Sequence, residues 1–349
     1  MSRPINTGII GFGLSGKVFH APFIHTHPGF TLSAVVERST THSRKIYPEV
    51  DVVKTHQELL ADKSIDLIVV ATPNIYHFPM TKEALEAGKH VIIEKPFTPT
   101  SREADLLIGL ARETGKEIFV FQNRRWDGDF LTIKKLIDNH RLGEIRYYEA
   151  HFDRYSPGVK PGAWRDENIP GSGILYDLGS HLIDQALFLF GMPETVQAEI
   201  RAEREGSDVD DCFEVRMVYG DKTILLKAGM MVKTIGPRFI IEGTGGSFSK
   251  WGIDPQESVL KAGEMPVGDH WGDDSPEFYG TLNRGMAPPF DSSKIPTEKG
   301  NYMAFYDNVY HVLLKNKPVS ISPEDARDVI FIIEKAFESN MTGRAIKTK

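Results

Sequence analysis

Residues 90–97 read His-Val-Ile-Ile-Glu-Lys-Pro-Phe. The run Val91-Ile92-Ile93 has the β-branched texture of a buried parallel strand, and it stops abruptly in an acid, a base and a proline. Open α/β sheets bind ligands just beyond the carboxyl ends of such strands. Lys95 is therefore delivered to the mouth of a crevice, and Pro96 biases it away from helical geometry. Taken alone, Glu94-Lys95-Pro96 reads first as a strand stop with a surface ion pair. What lies on either side reverses that reading.

Upstream, Ile5–Ile10 is a short apolar strand that runs into Gly11-Phe12-Gly13-Leu14-Ser15-Gly16 and then into a helical stretch holding Val18, Phe19, Phe23 and Ile24. Gly11 permits a tight turn, Gly13 lets backbone approach a pyrophosphate, and Gly16 lets helix and strand pack closely. The phosphates would sit on the N–H groups at the helix start. A glycine triplet also marks plain turns, but a strand before it and a helix after it are the context that dinucleotide binding requires. A second strand, Leu32–Val36, ends in Glu37, 21 residues after Gly16, where an acid grips the adenosine ribose hydroxyls. Glu37 favours NAD, because a carboxylate repels the 2′-phosphate of NADP. Arg38, followed by Ser39 and Thr40, is either a holder of that phosphate through charge-assisted bonds or a solvated loop charge. NAD versus NADP stays open.

Strand and helix continue to alternate. Ile65–Ala71 is the most continuous buried-strand run, and it ends in Thr72-Pro73-Asn74 with His77 one turn further. This loop is expected beside the cofactor, with Asn74 and His77 as hydrogen-bonding side chains; His77 reads equally as a surface histidine at a helix start. Thr55-x-x-Glu58 and Thr100-x-x-Glu103 are capping boxes. A helix over Tyr76–Ala87 closed by Gly88, the Lys95 strand, and a strand over Glu117–Gln122 complete a doubly wound parallel sheet, a Rossmann domain spanning 1–123.

After Asn123-Arg124-Arg125-Trp126 the texture changes, and 124–349 is expected to form an α+β domain with a large, mainly antiparallel sheet. A helix at about Asp129–His140 leads to an alternating strand, Glu144–Tyr155, and a loop rich in Gly and Pro, Ser156–Gly173. Strands follow at Thr195–Glu203, Cys212–Tyr219, Lys222–Val232 and Arg238–Glu242, punctuated by tight turns rather than helices. Two helices, about Asn301–Lys315 and Pro323–Asn340, close the chain. Within 171–191, a predicted helix carries Asp177, His181 and Asp184 at i, i+4 and i+7, on one face. A carboxylate one turn from an imidazole can fix its tautomer and raise its pKa, as a general acid/base needs. The same spacing also fits the polar stripe of a half-exposed helix, and Asp184 reads as structural. Asp177, His181 and His151 could ligate a metal, but neither HExxH nor a cysteine set is present and no metal is expected.

The bulk composition narrows the field. The chain has 349 residues, enough for about two domains. A formal charge of −7 without any lysine or arginine block argues against a nucleic-acid binder. The single cysteine, Cys212, excludes an internal disulfide and fits a reducing compartment. With no long apolar span and no signal-peptide core, a soluble cytoplasmic enzyme without a membrane partner is expected.

Gly11-x-Gly-x-x-Gly16, Ala71-Thr-Pro-Asn74 with His77, Glu94-Lys-Pro96 and Asp177-x-Gly-x-His181 occur in this order and at familiar separations. Together they resemble the Gfo/Idh/MocA family of NAD(P)-dependent sugar and polyol oxidoreductases, across essentially the whole chain. Lys17-x-Phe-His-Ala-Pro22, Asn123-Arg-Arg-Trp-Asp127, His151-Phe-Asp-Arg154 and Asp254-Pro-Gln-Glu257 resemble the branch that contains NADP-dependent inositol dehydrogenases, from which Glu37 is a departure. The resemblance implies hydride transfer between NAD(P) and a secondary alcohol of a sugar or cyclic polyol, with Lys95 near the nicotinamide and Asp177 and His181 completing the catalytic set. Candidate cofactor contacts are Gly11, Phe12, Gly13, Ser15 and Gly16 in the glycine turn, then Glu37 and Arg38. Thr72, Pro73, Asn74, His77, Glu94, Lys95 and Asn123 follow. Candidate substrate contacts are Arg124, Asp153, Tyr155, Arg165, Tyr302 and Trp164, the last offering either a flat face for a sugar or a core ring. The family also implies a homodimer or homotetramer through the open face of the second sheet. Two rivals are a non-catalytic dinucleotide sensor and a glycoside-cleaving enzyme that uses tightly held NAD.

Overall fold

The computed structural model describes residues 3–159, 162 and 164–349. These form two compact units. The first comprises the chain up to Asn123 together with Gln256–Trp271 and Asn301–Arg327; the second comprises Arg124–Pro255, Gly272–Gly300 and Asp328–Lys349. The sequence places a boundary after residue 123, and the structure adds two later segments to the unit that ends there.

The first unit is built on six strands, β1 (Ile5–Ile10), β2 (Phe30–Val36), β3 (Asp51–Val53), β4 (Leu67–Val70), β5 (His90–Glu94) and β6 (Ile118–Phe121). They lie in the order β3-β2-β1-β4-β5-β6, all parallel. Every side chain of β4 and β6 is buried, as expected of strands covered on both faces. Both capping boxes form: Thr55 and Thr100 accept from the backbone N–H of Glu58 and Glu103, whose carboxylates reach back. The helix after the glycine turn departs from the expected form. It opens as a π-helical turn, Gly16–His20, in which the Ala21 N–H bonds the Gly16 carbonyl, and only then continues as α-helix, Ala21–Thr26. The later segments contribute Tyr302, Phe305 and Tyr306 to an aromatic cluster: Tyr306 stacks on Phe23 (5.4 Å) and Phe305 meets Phe121 edge-on (4.8 Å).

The second unit carries nine strands, β7 (Ile145–His151), β8 (Thr195–Arg201), β9 (Cys212–Tyr219), β10 (Lys222–Gly229), β11 (Phe239–Gly243), β12 (Gly246–Lys250), β13 (Gly280–Arg284), β14 (Asp291–Ile295) and β15 (Ile346–Lys347). Their order is β14-β13-β12-β11-β7-β10-β9-β8-β15. The sheet is mainly antiparallel, as expected; the exception is the parallel pairing of β7 with β10. That pairing arises because β7 reaches the sheet from the helix Gly128–Asp138 and not through a hairpin. A π-helical turn, Leu175–Gly179, leads into the α-helix Ser180–Phe190. Of the predicted loop 156–173, residues 160, 161 and 163 lie outside the described residues. Among the described residues, no helix is long and apolar enough to cross a membrane.

Candidate active site

The first unit supplies a cradle at the carboxyl ends of its strands. Gly11 sits at φ +97°, and a Cβ there would stand 2.7 Å from the Ala71 carbonyl oxygen. A Cβ on Gly16 would lie 2.1 Å from the Gly11 carbonyl, while around Gly13 the space is open. This turn thus leaves backbone accessible for a pyrophosphate, and the residues present fit a dinucleotide. A cleft of about 540 Å³ runs from it, lined by Phe12, Glu37, Arg38, Lys54, Thr72 and Pro73 among others.

Several predicted contacts are turned away from that cleft. Glu37 lines it yet is buried, and its carboxylate serves its own loop. One oxygen accepts from the Ser43 N–H (2.8 Å) and hydroxyl (2.5 Å), the other from the His42 N–H (2.9 Å) and the Thr40 hydroxyl. Burial pushes its pKa up, but these four donors more than offset that and hold it down, at about 2. Each oxygen of this cleft-lining carboxylate thus already carries two donors from its own loop. His77 is likewise fully buried, its Nδ1 facing the Pro96 carbonyl (2.8 Å) and its Nε2 the Thr72 carbonyl (3.0 Å). It ties the loop after β4 to the turn after β5 and is neither a surface histidine nor an available contact. Asn74 and Asn123 are also buried.

Glu94 and Lys95 end β5 as the sequence indicates. Lys95 is half-buried and its peptide to Pro96 is cis. The Glu94 carboxylate is held by three groups of its own unit. One oxygen accepts from the Ser15 hydroxyl and faces His20 Nε2 (2.9 Å), and the other accepts from the Lys95 N–H (3.0 Å). His20 Nδ1 in turn faces the Tyr306 hydroxyl at 2.7 Å. Burial raises the Glu94 pKa, yet the His20, Ser15 and Lys95 interactions bring it below the ordinary value. His20 and Tyr306 went unremarked as site residues, although His20 stands in the Lys17–Pro22 motif.

In the second unit a cleft of about 480 Å³ is lined by Arg154, Tyr155, Arg165, Asp177 and Asp210 among others. Asp177 belongs to the π-helical turn and accepts from Arg165 Nε at 3.3 Å. His181 does not line this cleft; it is buried in the first turn of the following α-helix, edge-on to Phe152. Asp184 is structural, as read: Arg125 Nε and Nη2 clamp its two oxygens at 2.9 and 2.8 Å. Arg124 is buried against Asp127 (3.2 Å) and the Phe152 ring, and the half-buried Asp153 faces His151 Nδ1 (2.9 Å). Tyr302 is fully buried in the first unit's aromatic cluster and is corrected from substrate contact to core. Trp164 is half-buried, not core, with the Arg165 guanidinium 4.4 Å over its ring. Asp210, which the sequence did not single out, bonds the Leu175 N–H at 2.7 Å and anchors the helix entry. Among the described residues, no group of three or more His, Cys, Asp or Glu side chains is placed to hold a metal ion.

A six-stranded parallel sheet with this order and a glycine cradle at its switch point defines a dinucleotide-binding oxidoreductase domain. The family models agree: residues 5–122 match "Oxidoreductase family, NAD-binding Rossmann fold" and residues 134–348 match "Oxidoreductase family, C-terminal alpha/beta domain". The chain belongs to the Gfo/Idh/MocA oxidoreductase family. It is 40% identical to the scyllo-inositol 2-dehydrogenase (NADP(+)) of Bacillus subtilis, over 98% of this chain and 95% of the relative. With the D-glucoside 3-dehydrogenase of Escherichia coli it shares 30% identity over 55% of this chain and 56% of that one. The crystal structure of an oxidoreductase from Bacillus cereus superposes with a TM-score of 0.90 at 36% identity, covering 99% of both chains.

Proposed function

We propose that this protein is a dehydrogenase that moves a hydride between NAD(P) and a secondary alcohol carbon of a sugar or cyclic polyol. The observation that carries the reading is Lys95: a half-buried lysine on the turn after β5, its backbone clamped by Glu94, in the same unit as the glycine cradle. The named activities of the Bacillus subtilis and Escherichia coli relatives support the substrate class.

When bound, the nicotinamide supplies the hydride chemistry. The chain handles the proton and the charge. His181 accepts the hydroxyl proton, and Asp177, one turn away, stabilises the imidazolium that results. The ammonium of Lys95 hydrogen-bonds the substrate oxygen and favours its developing negative charge. Glu94 orients Lys95 through its backbone N–H.

The test is spectrophotometric. Purified protein given NAD or NADP and a panel of inositols and aldoses should gain the absorbance of reduced nicotinamide. No gain with any of them returns the chain to the sensor reading, and copurifying cofactor without net reduction favours the glycoside-cleaving one. Lys95→Met and His181→Ala should each lower kcat by roughly 10²–10⁴-fold, the usual contribution of an acid–base group. Turnover within a few-fold of wild type would remove these assignments.

A further inference from the structure

The parallel sheet of the first unit has a second opening. At the amino ends of β1, β4, β5 and β6, the edge opposite the glycine cradle, lies a cleft of about 480 Å³ whose lining belongs wholly to the first unit. Arg3, Lys63, Lys89 and Lys116 line it against a single acid, Asp66. Arg3 already clamps both oxygens of that acid, at 2.7 and 2.9 Å. Three ammonium groups are left over, in a chain whose overall charge is −7. Among the described residues, neither Lys63 nor Lys116 has a carboxylate partner.

The cleft is built as well as charged. Lys89 is only 5% exposed, and its ammonium donates to the carbonyls of Asp62 (2.6 Å) and Ile65 (2.9 Å), which leaves one N–H over. A buried cation whose acceptors are both neutral is stabilised by an anion brought to it. His90, the first residue of β5, accepts the Glu117 N–H at Nδ1 (3.1 Å), so its proton sits on Nε2, which has no partner among the described residues. Burial, and then Lys116, push its pKa down to about 4, so at neutral pH the ring is an uncharged donor. Pro4, Leu313 and Leu314 give the same cleft an apolar wall.

We propose that this cleft binds a small organic phosphate, its dianionic head held by Lys63, Lys89, Lys116 and the His90 N–H and its carbon body laid on Pro4 and the two leucines. Three uncompensated ammonium groups suit a doubly charged phosphate better than a carboxylate. The ligand is not the substrate of the dehydrogenase reading, because β5 separates His90 from Glu94 by roughly 13 Å.

The probe is phenyl phosphate, titrated by calorimetry into full-length protein at pH 7.5, with benzoate and inorganic phosphate for comparison. Wild type should bind phenyl phosphate at one saturable site, about 10-fold or more tightly than either comparison ligand. Lys116→Gln should weaken it about 10-fold or more, as loss of one charge-assisted contact does, and adding Lys63→Gln should weaken it further. Both lysines lie at the surface, so the variants should fold. Arg38→Gln, at the cleft beside the glycine turn, should leave it unchanged. No saturable binding at millimolar ligand, no effect of Lys116→Gln, or an equal loss in Arg38→Gln overturns the site. Equal affinity for benzoate or inorganic phosphate overturns the ligand class. None of these outcomes bears on the dehydrogenase reading, which fails only on its own assay.

Discussion

His20 shows what one buried side chain does in this molecule. It is fully buried, its Nε2 2.9 Å from Glu94 and its Nδ1 2.7 Å from Tyr306. Removing a hydrogen-bond partner of a buried carboxylate leaves that group unsatisfied and typically costs about 1–3 kcal/mol or more. His20→Gln should therefore lower stability to urea markedly. It should also move acid unfolding to higher pH. The Glu94 pKa is depressed in the folded state, so its contribution is complete above the ordinary carboxylate value and is lost as pH falls through the lowered one. Without His20 the depression shrinks and the loss begins sooner. Acid titrations of wild type and variant that coincide would show that the pair carries no such coupling. At this scale the sequence was legible in identity but not in direction. Glu37, His77 and Tyr302 were picked out by position, yet each points into protein. A residue's type and spacing say which element it sits on; the loop that competes for its hydrogen bonds is visible only in the fold.

Among elements, the helix pair Leu175–Gly179 and Ser180–Phe190 shows how a local device sets the two groups proposed to handle the proton. Helical spacing placed Asp177 and His181 correctly on one helical stretch, but a π-helical turn between them is not encoded in apolar periodicity. The stretch is fixed at its entry by Asp210, which bonds the Leu175 N–H; Gly173 lies so close that a Cβ there would stand 2.0 Å from the Asp210 carboxylate. Burial raises the Asp210 pKa to about 6, against the opposing pull of its backbone partners. A raised carboxylate stabilises the fold when protonated, and that contribution is lost as pH rises through about 6. Asp210→Asn keeps an acceptor for Leu175 and cannot titrate. Wild type should thus gain stability relative to Asp210→Asn between pH 7.5 and 5, by roughly 1.4 kcal/mol, the part of a two-unit shift realised above pH 5. Urea denaturation at both pH values measures it, and a constant difference would assign Asp210 no titration in this range. Capping boxes were readable because both partners lie within four residues. The edge strand Asp291–Ile295 was not, because its side chains are nearly all exposed and carry no alternation.

At the level of the whole molecule, a clean change of texture at Asn123 marks the end of a Rossmann domain over 1–123. The first compact unit also takes in later chain, because Tyr302, Phe305 and Tyr306 lie far along the sequence and pack into it. Tyr306 stacks on Phe23 and caps His20, and Phe305 meets Phe121 at the end of β6. Deleting a buried aromatic side chain typically costs about 3–5 kcal/mol, and a whole domain has only about 5–15 kcal/mol to lose. A fragment ending at Asn123 forfeits three such rings and should lack a cooperative urea transition, with weak near-ultraviolet dichroism. In the full chain, Tyr306→Ala alone should remain folded but lose about 3–5 kcal/mol, since the rest of the cluster stays in place. Cooperative unfolding of the short fragment at near full-length stability would show instead that β1–β6 and their helices are self-sufficient. The segment 301–327 would then be a covering added to a finished domain rather than part of its core.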